Sequence, residues 1–214
     1  GSVVINSDDP NLRDVLEQGC WSKIVEFSRQ DERCDWFVQA LTEDASEFDV
    51  YQSGRLLGRV TWPLFGAHNM MNALGAIASC SEAGIKPLEA CKCLSDFELP
   101  KRRLERLNSK GSITLFDDFA HHPTAISETL SALRANVGNA KIIAVLEPRS
   151  NTMKQGVHQY TLADSLASAD EVYFYKNPEM NWNADTLESE SIQVMENTQS
   201  IIDTITKQAV NGDH

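Results

Sequence analysis

The second half of the chain alternates apolar runs with helix patterns, and this alternation constrains the fold more than any other feature. An amphipathic stretch at 124–136 leads to an apolar run at 141–146, and a helix pattern at 158–169 leads to another run at 171–175. A last helix is predicted over 192–210. Strands separated by helices of this length lie parallel in one sheet. The sequence therefore predicts an α/β fold, with the strand at 141–146 buried on both faces.

The first half of the chain mixes strands and helices less regularly. Helical spacing predicts helices after Pro10, over about 69–83 and from Pro87 to about 94. Short apolar runs predict strands at 3–6, 23–27, 36–41, 48–51 and 56–62. The composition changes at Pro100, so we predict two domains, residues 1–99 and 100–214. The second is predicted to begin with strands at 103–108 and 113–116 around a turn at 109–111.

The charge of the chain restricts its partners. It has 19 basic and 31 acidic residues, a net charge of −12, which argues against nucleic acid or an anionic membrane surface. Residues 101–149 depart from this balance, with eight basic and five acidic side chains. Local basicity in an acidic protein predicts a site for a small anionic ligand.

Several features of the sequence lead us to expect a cytoplasmic protein. No apolar run approaches the roughly 20 residues that cross a bilayer, and the first residues do not form a secretory signal. The five cysteines have irregular spacing, which does not predict a disulfide framework. We therefore expect reduced thiols in a reducing compartment.

A polar cluster lies between the predicted strand at 113–116 and the next helix. It contains Asp117, Asp118, His121 and His122. Ligands of open α/β sheets bind at such carboxyl ends of strands. The carboxylates could accept ribose hydroxyls or hold a metal, and the imidazoles could donate to a phosphate. The alternative is that the carboxylates cap the turn and the histidines pack locally.

The helix predicted at 69–83 begins with a second polar group, His68, Asn69 and Asn72. Asn69 and Asn72 are three residues apart and share a helix face. Their amides could match the hydrogen-bonding edge of a purine. The alternative is that an asparagine caps the helix and His68 lies in a turn.

Two further segments offer arginines. Lys101-Arg102-Arg103 lies at the domain boundary and predicts either a phosphate clamp or a solvated hinge. The loop at 147–154 follows the apolar run at 141–146, and its Arg149 could hold a carboxylate with two hydrogen bonds. The alternative for this loop is an ordinary surface turn.

The four segments occur in an order that resembles the Mur ligases, the ATP-dependent amide ligases of bacterial cell-wall assembly. The segments are GAHNMMNALGAIA, KRRLE, DDFAHHPT and EPRSNTMKQGVH. The resemblance covers most of the chain. It implies that residues 1–99 are the later part of a central ATPase domain. It also implies that residues 100–214 are a Rossmann-like C-terminal domain with a parallel sheet, without its final strand.

The resemblance also assigns roles to individual residues. Asn69 and Asn72 would contact adenine, Arg103 would lie by the ATP phosphates, and Asp118 would take the ribose hydroxyls. His121 would lie beside the nucleotide or the reacting centre, so Arg103 and His121 are the expected catalytic residues. His68 and Asp117 would support these loops. The peptide substrate would contact His122 and the loop residues Arg149, Ser150, Asn151 and Thr152.

The reaction implied by the resemblance joins a carboxylate to an amine. ATP would phosphorylate the lactoyl carboxylate of UDP-N-acetylmuramate, and the tripeptide L-Ala-γ-D-Glu-meso-diaminopimelate would attack the acyl phosphate through its amine. Binding groups and Mg²⁺ would act mainly by positioning the reactants and neutralising charge. The product would return recycled peptide to cell-wall synthesis.

The sequence departs from the family pattern in one important respect. It carries no G-x-x-x-x-G-K-[ST] phosphate loop. The resemblance places that loop and the magnesium ligands outside these 214 residues, so we expect no metal ligand here and no activity from this chain alone.

Other functions are compatible with the same residues. Within the family, the alternatives are the ligase that adds L-alanine to UDP-N-acetylmuramate and a relative of folylpolyglutamate synthase. Outside it, the alternatives are a metal hydrolase that uses Asp117, Asp118, His121 and His122 and a non-catalytic nucleotide-binding module. The hydrolase requires those four side chains to converge on one ion.

Overall fold

The computed structural model describes residues 1–98, 100–107 and 113–214. The chain divides into two compact units, residues 1–98 and 99–214, which we call unit 1 and unit 2. The predicted turn at 109–111 lies outside the described residues. None of the helices among the described residues is long and apolar enough to cross a membrane.

Unit 1 contains a five-stranded sheet with the strands in sequence order. The first two pairs of neighbouring strands run parallel and the last two run antiparallel. The strands are β1 Ser2–Asn6, β2 Lys23–Ser28, β3 Trp36–Ala40, β4 Glu47–Gln52 and β5 Arg55–Thr61. The helices are α1 Pro10–Glu17, α2 Ala67–Glu82 and α3 Pro87–Leu94.

Helix α2 packs against this sheet through one apolar face. Leu74 and Ile77 are buried on the helix, opposite strand residues such as Trp36 and Val38. Gly75 lets the helix approach closely, because a Cβ there would lie 3.1 Å from the ring of Phe27. The packing fixes the helix start, which carries the candidate amides, relative to the sheet.

Unit 2 confirms the α/β fold with a parallel sheet. Its three-stranded sheet has the order β10-β9-β8, with both pairs parallel, and β6 and β7 form a separate antiparallel pair. The strands are β6 Glu105–Leu107, β7 Leu115–Asp117, β8 Ile143–Leu146, β9 Glu171–Tyr175 and β10 Ile192–Met195. The helices are α4 Pro123–Val137, α5 Asn151–Lys154, α6 Gln159–Ser165 and α7 Thr198–Gln208, with a short 3-10 helix at Ala184–Leu187.

Two predictions for unit 2 are wrong. The single helix predicted over 192–210 is strand β10 followed by α7, because Asn197 caps a new helix by accepting a hydrogen bond from the Ser200 N–H at 3.0 Å. The strand at 141–146 is not buried on both faces: β8 is the edge of its sheet, and Val145 is 56% exposed. An apolar run indicates a strand but does not show whether it has two neighbours.

The last residues of the chain join the start of β8 to the segment before β7. The His214 N–H donates to the Lys141 carbonyl, and the His214 carbonyl accepts from the Ile143 N–H at 2.8 Å. The carbonyl of Asp213 accepts from the Thr114 N–H at 3.1 Å. These bonds tie β7 to the three-stranded sheet and thereby hold the loops that follow β7 and β8.

Candidate functional site

The loops after β7 and β8 line a groove of about 490 Å³ in unit 2. Carboxyl ends of strands are the usual position of ligand sites in open α/β sheets. The charged residues that line the groove include two arginines and three carboxylates: Arg102, Arg149, Asp117, Asp118 and Glu147. The polar cluster after β7 and the loop after β8 therefore meet at one site, although they are separated by helix α4 in the sequence.

Asp118 uses both carboxylate oxygens to hold backbone. Its Oδ2 accepts a hydrogen bond from the Leu104 N–H at 2.7 Å. Its Oδ1 accepts from the Ala120 N–H at 2.7 Å and from the Thr129 hydroxyl at 3.3 Å. A carboxylate has about four acceptor positions, and three of those of Asp118 are occupied by these donors.

Arg102 and Arg149 are each paired with a carboxylate at the groove. The Nε of Arg102 lies 3.4 Å from Asp117 Oδ2, and its guanidinium carbon lies 5.0 Å from the centre of the Phe119 ring. The Nε of Arg149 donates to Glu147 Oε2 at 2.7 Å. The groove therefore presents cationic and anionic groups side by side, an arrangement suited to a ligand that carries both charges.

The two histidines of the polar cluster have different surroundings. His121 lines the groove, its Nδ1 lies 2.9 Å from the Phe119 carbonyl, and its ring contacts that of Phe119. His122 caps α4 by accepting from the Thr124 N–H at 3.3 Å, a role that the sequence analysis did not predict. The ring of His122 also packs edge-on against His158, with ring centres 4.4 Å apart.

The loop after β8 contributes only part of its predicted residues to the groove. Arg149 and Ser150 line it, and the Ser150 hydroxyl donates to the His121 carbonyl at 3.4 Å. Ser150 also caps the short helix α5 by accepting from the Met153 N–H. Asn151 and Thr152 lie exposed on α5 and are not among the groove residues.

Arg103 lies outside the groove lining. Its side chain is exposed, and within the described part of the chain it has no hydrogen bond or ion pair. The neighbouring Arg102 lines the groove instead. Of the two arginines in this segment, the structure brings Arg102 to the carboxylates of the loop after β7 and leaves Arg103 accessible.

The candidate amides of unit 1 lie in the first turns of α2. Helix α2 is capped by Gly66, whose φ of 99° suits glycine, and not by an asparagine. The Nδ2 of Asn69 donates to the Phe65 carbonyl at 2.8 Å, whereas Asn72 is exposed. His68 is half-buried in the first turn. Asn72 is thus the amide with both hydrogen-bonding groups directed to solvent.

Metal chemistry finds no support in the arrangement of the side chains. Across the described residues, no three His, Cys, Asp or Glu side chains are placed to hold a metal ion. Asp117, Asp118, His121 and His122 therefore do not converge as the hydrolase alternative requires.

Four residues at or beside the groove received no individual role in the sequence prediction, although Arg102 and Glu147 lie in segments that it singled out: Arg102, Phe119, Glu147 and His158. Glu147 follows the apolar run at 141–146 directly, a position that could have marked it. Arg102 and Arg103 cannot be told apart by pattern, because their directions depend on the backbone turn. His158 lies 36 residues after its partner His122, so no local signal joins them.

Comparison with known proteins gives one result for both units. The profile of the Mur ligase middle domain matches residues 1–80. The profile described as "Mur ligase, glutamate ligase domain" matches residues 102–214. The second match alone covers more than half of the chain.

Two curated relatives match the whole chain. Both are named UDP-N-acetylmuramate–L-alanyl-γ-D-glutamyl-meso-2,6-diaminoheptandioate ligase; the protein of Haemophilus influenzae is 40% identical, and that of Escherichia coli is 41% identical. The chain spans 48% and 47% of their lengths. A crystal structure of a murein peptide ligase from Psychrobacter arcticus matches the whole chain with 35% identity and a TM-score of 0.71, over 47% of that protein.

Proposed function

This chain belongs to the Mur ligase family, and we propose on that basis that the whole protein is an ATP-dependent amide ligase. Its proposed substrates are UDP-N-acetylmuramate and the tripeptide L-Ala-γ-D-Glu-meso-diaminopimelate, which are the compounds in the names of two relatives at 40% and 41% identity. The reaction would return recycled peptide to cell-wall synthesis in the cytoplasm.

The observation that carries this proposal is the paired charge at the groove of unit 2. Diaminopimelate ends in an ammonium and carboxylate groups, so it is a zwitterion. Arg149 and Arg102 offer guanidinium donors to its carboxylates, and Glu147 and Asp117 offer acceptors to its ammonium. The compounds in the names of the two relatives favour the peptide over free L-alanine as the substrate.

The proposed chemistry proceeds in two balanced steps. An oxygen of the lactoyl carboxylate attacks the γ-phosphorus of ATP, and ADP leaves. The tripeptide amine then attacks the acyl carbon, the amide bond forms, and phosphate leaves with the loss of one amine proton. Both steps move charge among anions, so positioned donors contribute most of the catalysis.

The proposed roles of the residues are the following. Asn69 and Asn72 would contact adenine. Asp118 would accept hydrogen bonds from the ribose hydroxyls, and Arg103 would contact the phosphates. His121 lies near the reacting centre, and His68 and Asp117 support these loops. The remaining residues serve the peptide: His122, Arg149, Ser150, Asn151 and Thr152. Residues 1–99 then represent the later part of the ATP-binding central domain, and residues 100–214 the C-terminal domain.

Product analysis on the whole protein tests the proposal. ATP, UDP-N-acetylmuramate and the tripeptide should give one UDP-muramoyl-tripeptide per ADP and phosphate, identified by mass. The acceptor panel should include free L-alanine and glutamate. Preference for L-alanine would make the protein the L-alanine ligase, and absence of any amide product would overturn the proposal.

The 214-residue chain tested alone gives a second result. Its sequence has no G-x-x-x-x-G-K-[ST] loop, so we propose that it neither hydrolyses ATP nor forms the amide by itself. Phosphate release from this chain that depends on both UDP-N-acetylmuramate and tripeptide would contradict this. Weak ATP binding without turnover would describe it as a nucleotide-binding module.

A further inference from the structure

The segment before β6 has an unusual backbone conformation beside Asp118. Arg102 and Leu104 have φ angles of 61° and 48°, in the left-handed region that residues other than glycine seldom adopt. Arg103 lies between them. Such a conformation persists only where surrounding contacts hold it. The contacts of this turn therefore decide the direction of the Arg103 side chain.

Asp118 provides the central contact. Its Oδ2 holds the Leu104 N–H at 2.7 Å, and its Oδ1 holds the Ala120 N–H at 2.7 Å. The main chain adds a second connection, because the Arg102 carbonyl accepts from the Phe119 N–H at 3.0 Å. One carboxylate therefore joins the 102–104 turn to the loop after β7.

The residues on either side of Arg103 are both fixed. The Arg102 side chain lies against Asp117 and the Phe119 ring, and the backbone N–H of Arg102 donates to Glu105 Oε2 at 2.9 Å. Leu104 is buried, with 8% exposure. Of the three residues of this turn, Arg103 is the one that is exposed and that has no partner within the described ranges. Its direction therefore depends on the turn, which Asp118 holds at Leu104 and which the Phe119 N–H and Glu105 hold at Arg102.

We propose that Asp118 is a positioning residue for Arg103, in addition to the ribose contact proposed above. The inference rests on the proposed function, in which Arg103 meets the ATP phosphates. Without the carboxylate, the Leu104 N–H loses its acceptor and the left-handed turn relaxes. Arg103 then points elsewhere even though its own side chain is unchanged.

A double-mutant cycle with a modified nucleotide separates the two roles. The whole protein is assayed with 2′,3′-dideoxy-ATP, whose ribose has no hydroxyl that could donate a hydrogen bond to Asp118. Asp118→Ala should still lower kcat/KM for this nucleotide about 100-fold, the size expected when a catalytic group is displaced by about 1 Å. In an Arg103→Ala background the same substitution should cost less than about threefold, because the group that Asp118 positions is already absent.

Two other variants control the experiment. Thr129→Val removes only the 3.3 Å contact to Asp118 and should change kcat/KM less than about twofold. Asp118→Asn keeps one acceptor oxygen and should give a smaller loss, about tenfold, with the same dependence on Arg103. It replaces Asp118→Ala in the cycle if the alanine variant does not fold.

The outcomes distinguish this inference from the proposed function. If wild type and Asp118→Ala have equal kcat/KM with the dideoxy nucleotide, the ribose contact is the whole role of Asp118, and the inference is overturned. Equal losses in the presence and absence of Arg103 indicate a general structural role and overturn it as well. If the wild-type protein forms no amide from UDP-N-acetylmuramate and tripeptide, the proposed function itself fails.

Discussion

Units 1 and 2 differ most in the chemistry of their candidate site residues. Unit 1 offers neutral amides, Asn69 and Asn72, at the start of one helix. Unit 2 places two guanidinium groups and three carboxylates around a groove, with Arg102 before β6 and the others at the end of β7 or in the loops after β7 and β8. Neutral amides suit the edge of a base, whereas paired charges suit a zwitterion. Under the proposed function, adenine and the peptide are therefore recognised by different physical means.

The two units also differ in how glycine serves the packing. In unit 1, Gly75 lets α2 approach β2. In unit 2, Gly156 has a φ of 73°, and a Cβ there would lie 2.8 Å from the Trp182 ring. Gly156 follows the loop after β8, so its contact with Trp182 supports the segment that carries Arg149.

The largest effect that we predict is on the stability of unit 2. Gly156→Ala should lower the free energy of unfolding by about 2–4 kcal/mol, because it adds both a strained φ and a clash with Trp182. Thermal denaturation measures the loss, and hydrogen exchange should locate it in residues 113–214. Gly54→Ala in unit 1 has a similar φ, 75°, but open space around its Cβ, and should cost only about 1–2 kcal/mol. Equal losses in the two variants would contradict the packing role of Gly156.

The next effect concerns the charged groove. Arg149→Ala in the whole protein should raise KM for the tripeptide about 100-fold, because a charge-assisted contact to a carboxylate is lost. KM for ATP should change less than about twofold. Arg13→Ala, which removes an exposed arginine of α1 in unit 1, serves as the control and should change neither constant. A matched rise in KM for ATP would contradict the assignment of Arg149 to the peptide.

A smaller effect distinguishes the two amides of unit 1. Asn72→Ala should weaken ATP binding about tenfold, as loss of a base contact does, without changing stability. Asn69→Ala should also lower the free energy of unfolding by about 1 kcal/mol, since it removes the hydrogen bond to the Phe65 carbonyl. Calorimetry and thermal denaturation give the two quantities. Unchanged ATP affinity in both variants would remove unit 1 amides from the nucleotide site.

The smallest effect is the acid sensitivity of unit 2. Burial by itself raises the pKa of Asp170, but the Ile142 N–H and the Arg134 guanidinium outweigh it and lower that pKa below its ordinary value of 3.8. The folded pKa lies below the unfolded one, so Asp170 stabilises the fold above about pH 4. That contribution is lost as the pH falls through the folded pKa.

Asp170→Asn tests this dependence. It should cost less than about 1 kcal/mol at pH 7, because the side chain is 47% exposed and solvent screens its ion pair. The difference from wild type should shrink as the pH falls below 4 in denaturation measurements. A difference that grows with acidity would contradict the assigned direction of the pKa.

Much of the secondary structure could be predicted because single elements carry their own periodicity. The strand predicted at 171–175 is confirmed as β9, and the helix predicted at 69–83 is α2 over 67–82. The split of 192–210 into β10 and α7 was not predicted. The spacing of apolar residues over 192–210 fits one helix. In the structure, pairing with β9 makes Ile192–Met195 a strand, and the cap at Asn197 starts α7 as a separate helix.

The sequence predicts which residue types form the candidate site, but it does not predict the directions of their side chains. Asp117, Asp118, His121 and Arg149 lie in segments that the sequence analysis singled out separately, and the structure brings them to one groove. The left-handed turn at 102–104 places Arg102 there and turns Arg103 away, and no local pattern encodes positive φ at Arg102 and Leu104. The pairing of His122 with His158 depends on tertiary folding for the same reason.

Titration of the 214-residue chain with the tripeptide, followed by ¹⁵N chemical shifts, tests most directly whether unit 2 is the peptide site. We predict tripeptide shifts at 122 and 147–150, with residues 66–72 unaffected. ATP should shift residues 66–72 together with Arg103 and Asp118, and should leave 147–150 unaffected. Tripeptide shifts confined to 66–72, or none at 147–150 at saturating concentration, would contradict the assignment of the peptide to unit 2.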